Sequence, residues 1–309
     1  MKLIKPSFLI KEQEPGVIGI YRQIEYAGRI CYKSSNKITE DSAKPFVDRM
    51  VKSGHGAMLE HGTVYLEFHV KDPSDVGEEE YHSQQSELNK LISRYANNKY
   101  SIIKVNHYYD TVFITTNYRV LIENNWLKDL KYICEPTVFH EKRVTVHFIC
   151  DRGISHEFVR HRVMSFAQES TRYCNYSKNK FGSELTFIIP CWMDIPEGSI
   201  DLGNYDKISA RYKDGNVHII DTKPPYVGVD FIRSLCEAES NYLSIVRNGW
   251  KPQEARAVLP NSLKTELVMT GFVSDWKHFF ELRCDSAAHP QARELAIPLR
   301  EEFINNKYL

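Results

Sequence analysis

"RVTVHFICDRGISHEFVRHRVMSFAQESTRY", residues 143–173, sets a run of strand-forming residues directly before a dense polar cluster. Its first eight residues, "RVTVHFIC", are rich in β-branched and aromatic side chains and predict a strand. Residues 154–166 are read as a helix, which puts Glu157, Arg160 and His161 at i, i+3 and i+4 on neighbouring parts of one face. Arg160, His161 and Arg162 are consecutive, so a helix cannot turn all three to water on one side. Phe158, Val159, Val163, Met164 and Phe166 flank them and imply packing into the body. Ser170, Arg172 and Tyr173 then add two hydroxyls, a ring and another guanidinium. Residues 151–180 hold six Lys or Arg against three acids. Arginine's planar fork fits phosphate and carboxylate oxygens and stays charged when desolvated. Alone, the cluster fits either a solvated helix end or a local site for a phosphorylated, ring-bearing ligand.

The chain around it is electrically balanced. Its 309 residues carry 40 Lys+Arg and 40 Asp+Glu, so a general polyanion binder is disfavoured and any anion site is local. Hydrophobic content of 42% and charged content of 26% suit a globular protein with a substantial core. The seven cysteines (Cys31, Cys134, Cys150, Cys174, Cys191, Cys236 and Cys284) form no C-x-x-C pair, which suggests a reducing compartment and a cytoplasmic protein. The first residues read as neither a signal peptide nor a membrane span, and no apolar run reaches about 18 residues.

Outward from the central stretch, the pattern is mixed α and β. Residues 1–35 predict one or two strands and a helix with Ile18, Ile20, Ile24, Ala27 and Ile30 in the core. A helix over 39–53 has Thr39 as its N-cap and Gly54 as its stop. "TVYLEFHV" (63–70) alternates as a strand, with Val64, Leu66, Phe68 and Val70 on one face. The polar stretch 71–80, with "EEE" at 78–80 as a solvated turn, opens an insertion to about residue 142. Within it, 86–98 reads as a helix and 111–125 as a strand followed by a helix. "LTFIIP" (185–190) is a short strand. Residues 196–228 form a second, loop-like insertion carrying a β-ribbon signalled by Asp214-Gly215. Helices are expected from Phe231 to a stop at Asn248-Gly249, then at 252–258, 262–270, 274–282 and 290–304. Tyr242, Trp276, Phe279 and Phe280 are expected in the core or an interface. Neither a Gly-rich dinucleotide fingerprint nor a P-loop is present, so a Rossmann domain is not expected.

Arg160-His161-Arg162, seven residues, then Ser170, followed by Arg172-Tyr173, resembles the signature of the flavin-dependent thymidylate synthases. "SGHGAMLEH" (53–61), "HEFVRHR" (156–162), "EARAVLP" (254–260) and "HFFELRCDSAAHPQARELA" (278–296) resemble further stretches of that family in the same order. The resemblance implies one α+β domain over 1–309, a central mixed or antiparallel sheet with packed helices, and insertions at about 72–142 and 196–228. It implies reductive methylation of dUMP to dTMP. Methylenetetrahydrofolate would be the carbon donor, FAD the hydride carrier and NADPH the reductant. It also implies a homotetramer with active sites between subunits, and no nucleic acid or membrane as partner.

The same resemblance implies residue roles. Ala57, Glu60, Arg160, His161, Arg162, Gln168 and His278 would bind FAD. Glu157, Arg160, Gln168, Glu169, Ser170, Arg172, Arg256 and Arg283 would hold the nucleotide, with backbone N–H groups of Glu169 and Ser170 offered to its phosphate and Arg256 arriving from another subunit. Arg283 would favour the ionised N3 form of uracil, because a fixed cation stabilises a developing anion. His55 and Ser170 complete the catalytic set. Three departures bear on flavin affinity. Cys31 stands where a small hydroxyl residue is common, Ala57 could contact FAD only through its backbone, and "GFVSDW" (271–276) lacks an Asn and an Arg.

Other readings stay open at this level. His55, His61 and His161 could serve a metal-dependent nucleotide hydrolase, although no H-E-x-x-H is present and His55, His61 and His69 suit hydrogen-bonded histidines better. The 160–172 cluster could serve an RNA- or nucleotide-binding module. Cys191 invites a cysteine nucleophile, but a free cysteine after an apolar strand reads better as a small core residue.

Overall fold

The computed structural model describes residues 1–172, 174–176, 184–205, 209–221 and 224–309, with only the backbone considered at 201–205. Tyr173, Lys178 and Lys180, part of the cationic cluster in sequence, lie outside the described residues. The N-terminal third contains β1 (Lys2–Ile4), β2 (Ser7–Lys11), α1 (Gly16–Cys31), α2 (Ala43–Lys52), α3 (Gly56–Leu59) and β3 (Thr63–His69). The 72–142 segment supplies α4 (Pro73–Val76), α5 (Glu78–Ala96), β4 (Ile102–Asn106), β5 (Thr111–Asn117) and α6 (Tyr118–Glu123). Then come β6 (Arg143–Asp151), α7 (Arg152–Phe158), β7 (Ser165–Gln168), β8 (Thr186–Ile188), β9 (Gly198–Tyr205), β10 (Ser209–Tyr212) and β11 (Val217–Ile219). The C-terminal part is α8 (Val227–Arg247), α9 (Pro252–Ala255), β12 (Lys264–Phe272), α10 (Val273–Arg283) and α11 (Pro290–Asn305).

Three sheets form among the described residues, none of them doubly wound: an antiparallel β2-β6-β12-β7, an antiparallel β3-β5-β4, and a mixed β11-β10-β9-β1-β8. The α+β class holds. The β2-β6-β12-β7 sheet carries the functional segment. Its longest ladder pairs Lys264–Phe272 with Arg143–Asp151. Both faces of β12 are covered. Val268 belongs to a core with α1, whereas Leu267 and Met269 pack with Trp276, Phe279 and Leu295 from α10 and α11. The double cover sets Leu267, Val268 and Met269 in succession with no two-residue alternation, which explains why 262–270 predicts a helix although it is a strand.

The other differences have local causes. Residues 154–166 do not form one helix; α7 ends at Phe158 and the chain turns into β7, because Ser165–Gln168 pair along β12. The "EEE" at 78–80 is the first turn of α5, where carboxylates complement the helix dipole. The 39–53 helix begins at Ala43 with Ser42, not Thr39, at its N-cap, and Gly54 ends it at φ +70°. Ile18 is 54% exposed on the outer side of α1, and Phe68 is half-buried. Strands β4 and β9 lie where no strand is expected, while the Asp214-Gly215 ribbon is β10–β11.

The 72–142 segment is built into the body. Its Leu88, Leu91 and Tyr95 share a core with Ile20, Ile24 and Ala27 of α1, and its β5 pairs with β3 from Thr63 to His69. Tyr242, Trp276, Phe279 and Phe280 are buried as expected, whereas Cys191 is exposed rather than core. No disulfide joins the cysteines among the described residues. No helix among the described residues is long and apolar enough to cross a membrane.

Candidate functional site

The Arg160–Arg162 turn sits where α7 hands the chain to β7, and its residues diverge because that turn is not helical. His161 goes inward, at 6% exposure, against Phe279, while Arg160 and Arg162 remain exposed. Arg283, at the end of α10, donates Nε–H to His161 Nε2 at 3.1 Å, Nη1–H to the Glu157 carboxylate at 2.9 Å and Nη2–H to the Glu157 carbonyl at 2.7 Å. The Arg283 side chain is 13% exposed, so this is a fixed guanidinium rather than a surface charge. Accepting from Arg283 requires Nε2 of His161 to be unprotonated, with the ring proton on Nδ1. Burial, then the charges of Arg283 and His278, push His161 down to about 4. His278 itself is exposed, 5.9 Å from His161 ring to ring.

On the other side of the turn, Arg162 opens onto a cavity of about 340 Å³ that also reaches Glu60, Arg119, Arg143, Ser165 and Phe272. Arg143 donates to the Glu60 carbonyl at 3.0 Å, to Thr63 and to Ser165, and its buried Nε has no partner among the described residues. Arg119 is clamped between the carboxylates of Glu60 at 2.6 Å and Glu123 at 2.7 Å. Gly56 makes room for it, since a Cβ there would come within 2.9 Å of Arg119 Nε. His55 caps α3 beside this loop, where it is exposed and its Nδ1 lies 3.0 Å from the Tyr32 hydroxyl. Ala57 is exposed on the same short helix.

β7 carries the chain from this cavity to a second polar centre, roughly 10 Å away for its four residues. Gln168 donates to Ser155 at 2.8 Å and to Thr265 at 3.3 Å. Glu169 is 2% exposed. Its carboxylate accepts from Lys264 at 2.8 Å, Lys33 at 3.2 Å and the Tyr176 hydroxyl at 3.1 Å. Lys264 also pairs with Glu266, whose other oxygen is 3.1 Å from His147 Nε2. Burial raises the Glu266 carboxyl, but His147, Lys264 and Lys33 outweigh it and hold it far below the usual carboxylate range. Burial likewise opposes the charge on Lys264, and the two carboxylates more than restore it.

The expectation that backbone N–H groups of Glu169 and Ser170 face a phosphate is not met. Glu169 N–H donates to the Glu266 carbonyl at 2.8 Å, one more rung of strand pairing, and Ser170 N–H donates to the Cys31 carbonyl at 3.1 Å, closing the end of α1. The Ser170 hydroxyl instead accepts from Arg172 N–H at 3.3 Å. Arg256 is exposed and donates to Thr171 at 3.2 Å within the same chain. Thus Glu157, His161 and Arg283 come together, Glu60 and Arg162 share the cavity, and Gln168, Glu169 and Ser170 lie along one strand end. Arg256 joins that end through Thr171, while His55 and Ala57 are exposed at α3 and His278 is exposed beside His161.

Histidines weighed as metal ligands each have another engagement. His61 is fully buried with Nδ1 2.8 Å from Thr270, and His69 Nδ1 lies 2.9 Å from Thr111. Sequence reasoning missed Lys33, Arg119, Arg143, Lys264 and Glu266. The Lys264/Glu266 alternation is a period-two signal hidden by the helical reading of 262–270.

Residues 84–306 match the model of a family described as thymidylate synthase complementing protein. Among curated relatives, the flavin-dependent thymidylate synthase of Pyrococcus furiosus is 28% identical over 154 residues, 50% of this chain and 51% of that protein. That of Corynebacterium aurimucosum is 30% identical over 146 residues, 47% and 51% of the two chains. The chain thus spans about half the length of the curated relatives it matches. Among solved structures, a UMP/dUMP methylase PolB from Streptomyces cacaoi, bound with 5-Br dUMP, aligns over 99% of this chain and 93% of its own, with 15% identity and a TM-score of 0.41.

Proposed function

The chain belongs to the thymidylate synthase complementing protein family, and on that premise we propose that it is a flavin-dependent thymidylate synthase, a methyltransferase that converts dUMP to dTMP. The carrying observation is one step of the chain: His161 holds Arg283 rigidly while the adjacent Arg162 lines a cavity of mixed charge that also holds Arg119 and Arg143. A nucleotide on the Arg283 side and a flavin on the Arg162 side would then lie next to each other.

The cavity residues suit FAD. Arg143 and Arg162 have no carboxylate partner among the described residues, and the orphaned Arg143 Nε is a buried donor whose desolvation an acceptor would offset. Glu60, Arg162 and the Arg160–His161 backbone would hold the cofactor, with Ala57, Gln168 and His278 at its edges. A bound reduced flavin would supply the hydride that converts the one-carbon unit, once donated by the folate to uracil C5, into the methyl group of dTMP. Arg283 has five N–H donors and commits three within the protein. The remaining two can face the uracil edge and stabilise its N3 anion without reorganisation. Glu157 fixes that fork, and neutral His161 is the acceptor that orients it. Gln168, Ser170, Arg172 and Arg256 would bind the nucleotide. Glu169 acts through the Lys264 ion cluster that positions the strand end, and His55 completes the catalytic set.

Methylenetetrahydrofolate as carbon donor, NADPH as reductant, a cytoplasmic homotetramer with shared active sites, and a single domain extended by 72–142 and 196–228 belong to the same reading. Deuterium-free product analysis tests it directly: dUMP, methylenetetrahydrofolate, FAD and NADPH together should yield dTMP and tetrahydrofolate, and omission of FAD should abolish dTMP. Formation of dTMP without flavin, or none with every component present, would reject the assignment.

A further inference from the structure

One wall of the cavity beside Arg162 is built by Glu60, Arg143, Ser165 and the 271–275 stretch. Its other wall comes from 72–142, through Lys99, Tyr100, Asn117 and Arg119. We propose that this segment is part of the cofactor site, and that Lys99 and Arg119 bind the anionic diphosphate of the flavin dinucleotide. The inference rests on the flavin reading above and extends it to residues outside the motif.

Three observations support it. First, Lys99, Arg119, Arg143 and Arg162 line the cavity against Glu60, Glu123 and Asp275, which leaves one positive charge in excess, and Lys99 and Arg162 form no ion pair among the described residues. Second, Arg119 is held for presentation. Asn117 accepts from Val120 N–H at 3.2 Å and caps α6, the Tyr118 N–H is tied to the Gly62 carbonyl at 2.8 Å, and Glu60 and Glu123 clamp the guanidinium. Two of its five N–H donors are committed to those carboxylates, which leaves three for an incoming oxygen. Third, Gly56 keeps the space that Arg119 occupies, so the loop of α3 and the start of α6 fit each other across the cavity mouth. A diphosphate spans two phosphoryl groups, and two separate cations on one wall, Lys99 and Arg119, suit it better than they suit a single-centred anion.

Flavin titrations of the intact protein, followed by fluorescence quenching and free of any turnover, test this with FAD, riboflavin and dUMP as probes. Lys99→Met alters an exposed side chain, and Arg119→Gln is the second variant. Each should raise the Kd for FAD about tenfold, the loss of one charge-assisted hydrogen bond, and leave riboflavin binding within twofold. Unchanged FAD affinity in both variants, with wild-type protein binding FAD normally, would overturn this inference and leave the flavin assignment standing. A loss confined to dUMP would overturn it in favour of a monophosphate subsite. Wild-type protein that binds no FAD would remove both. Melting temperatures of the variants within a few degrees of wild type separate a binding loss from unfolding.

Discussion

Lys264→Met should be among the most damaging single substitutions at the strand end. Lys264 lies between Glu169, whose side chain is 1% exposed, and Glu266, at 18%. Removing the ammonium leaves two carboxylates facing each other in a poorly solvated place. Breaking a buried pair from one side typically costs about 3–5 kcal/mol. Lys33 remains 3.2 Å from Glu169 and 3.5 Å from Glu266 and offsets part of that, so the lower end applies, about 3 kcal/mol. For a chain of this size the fall in Tm at pH 7 is roughly 6–10 °C. The acid dependence gives a sharper signature. Glu266 is held below its unfolded pKa, so its contribution is present above that value and is lost as pH falls towards the folded one. In Lys264→Met that depression shrinks, so the Tm gap between variant and wild type should narrow on going from pH 7 to pH 4. Lys264→Met/Glu169→Gln should recover part of the loss, since one unpaired charge goes with its partner. Thermal unfolding by circular dichroism at both pH values is the assay. A variant within 1 °C of wild type at pH 7, or a gap that widens in acid, would refute the reasoning.

Three further outcomes follow from particular contacts. Burial first, and then Arg143, push the fully buried His61 down to about 3, so the unfolded chain takes up protons before the folded one. Stability should therefore fall as pH drops from about 6.5 towards that value, and Tm against pH for His61→Gln should be flatter over the same range. Arg283→Lys keeps the charge but loses the fork to His161 and Glu157, and dUMP titration should show about tenfold weaker binding; unaltered binding would detach Arg283 from the nucleotide. Leu267→Ala, at a fully buried position of β12, should cost about 2–5 kcal/mol in denaturant unfolding.

Local patterns in the sequence were legible wherever one face of an element meets solvent. α1 alternates exposed and buried positions at helical spacing, and β3 alternates at strand spacing, so both are recognisable from apolar periodicity. The reading failed where tertiary contacts decide. Residues 264–272 are covered on both faces and lose their period, and 159–168 leave the helix because β12 offers a strand partner. Arg160, His161, Arg162 and Ser170 were visible as a motif, but their divergence was not, since it depends on where α7 stops. Arg119 carried no sequence signal of its own, and the Lys264/Glu266 alternation was too short to outweigh the helical reading. Their placement follows from the pairing of β12 with β6 and β7 and from the docking of 72–142 against α3. The stretch 271–276, which lacks an Asn and an Arg, forms one wall of the same cavity that Asn117 and Arg119 enter from the other.

The central claim is that a flavin and a deoxyuridine nucleotide share a site divided by the Arg160–Arg162 turn. The most direct measurement is the visible absorbance spectrum of the purified protein with added FAD, before and after dUMP, in wild type and Arg162→Ala. The structure leads us to expect a flavin spectrum in wild type that shifts when dUMP is added, and no bound flavin in Arg162→Ala. A wild-type protein that stays colourless in excess FAD, or a flavin spectrum indifferent to both dUMP and the substitution, would contradict it.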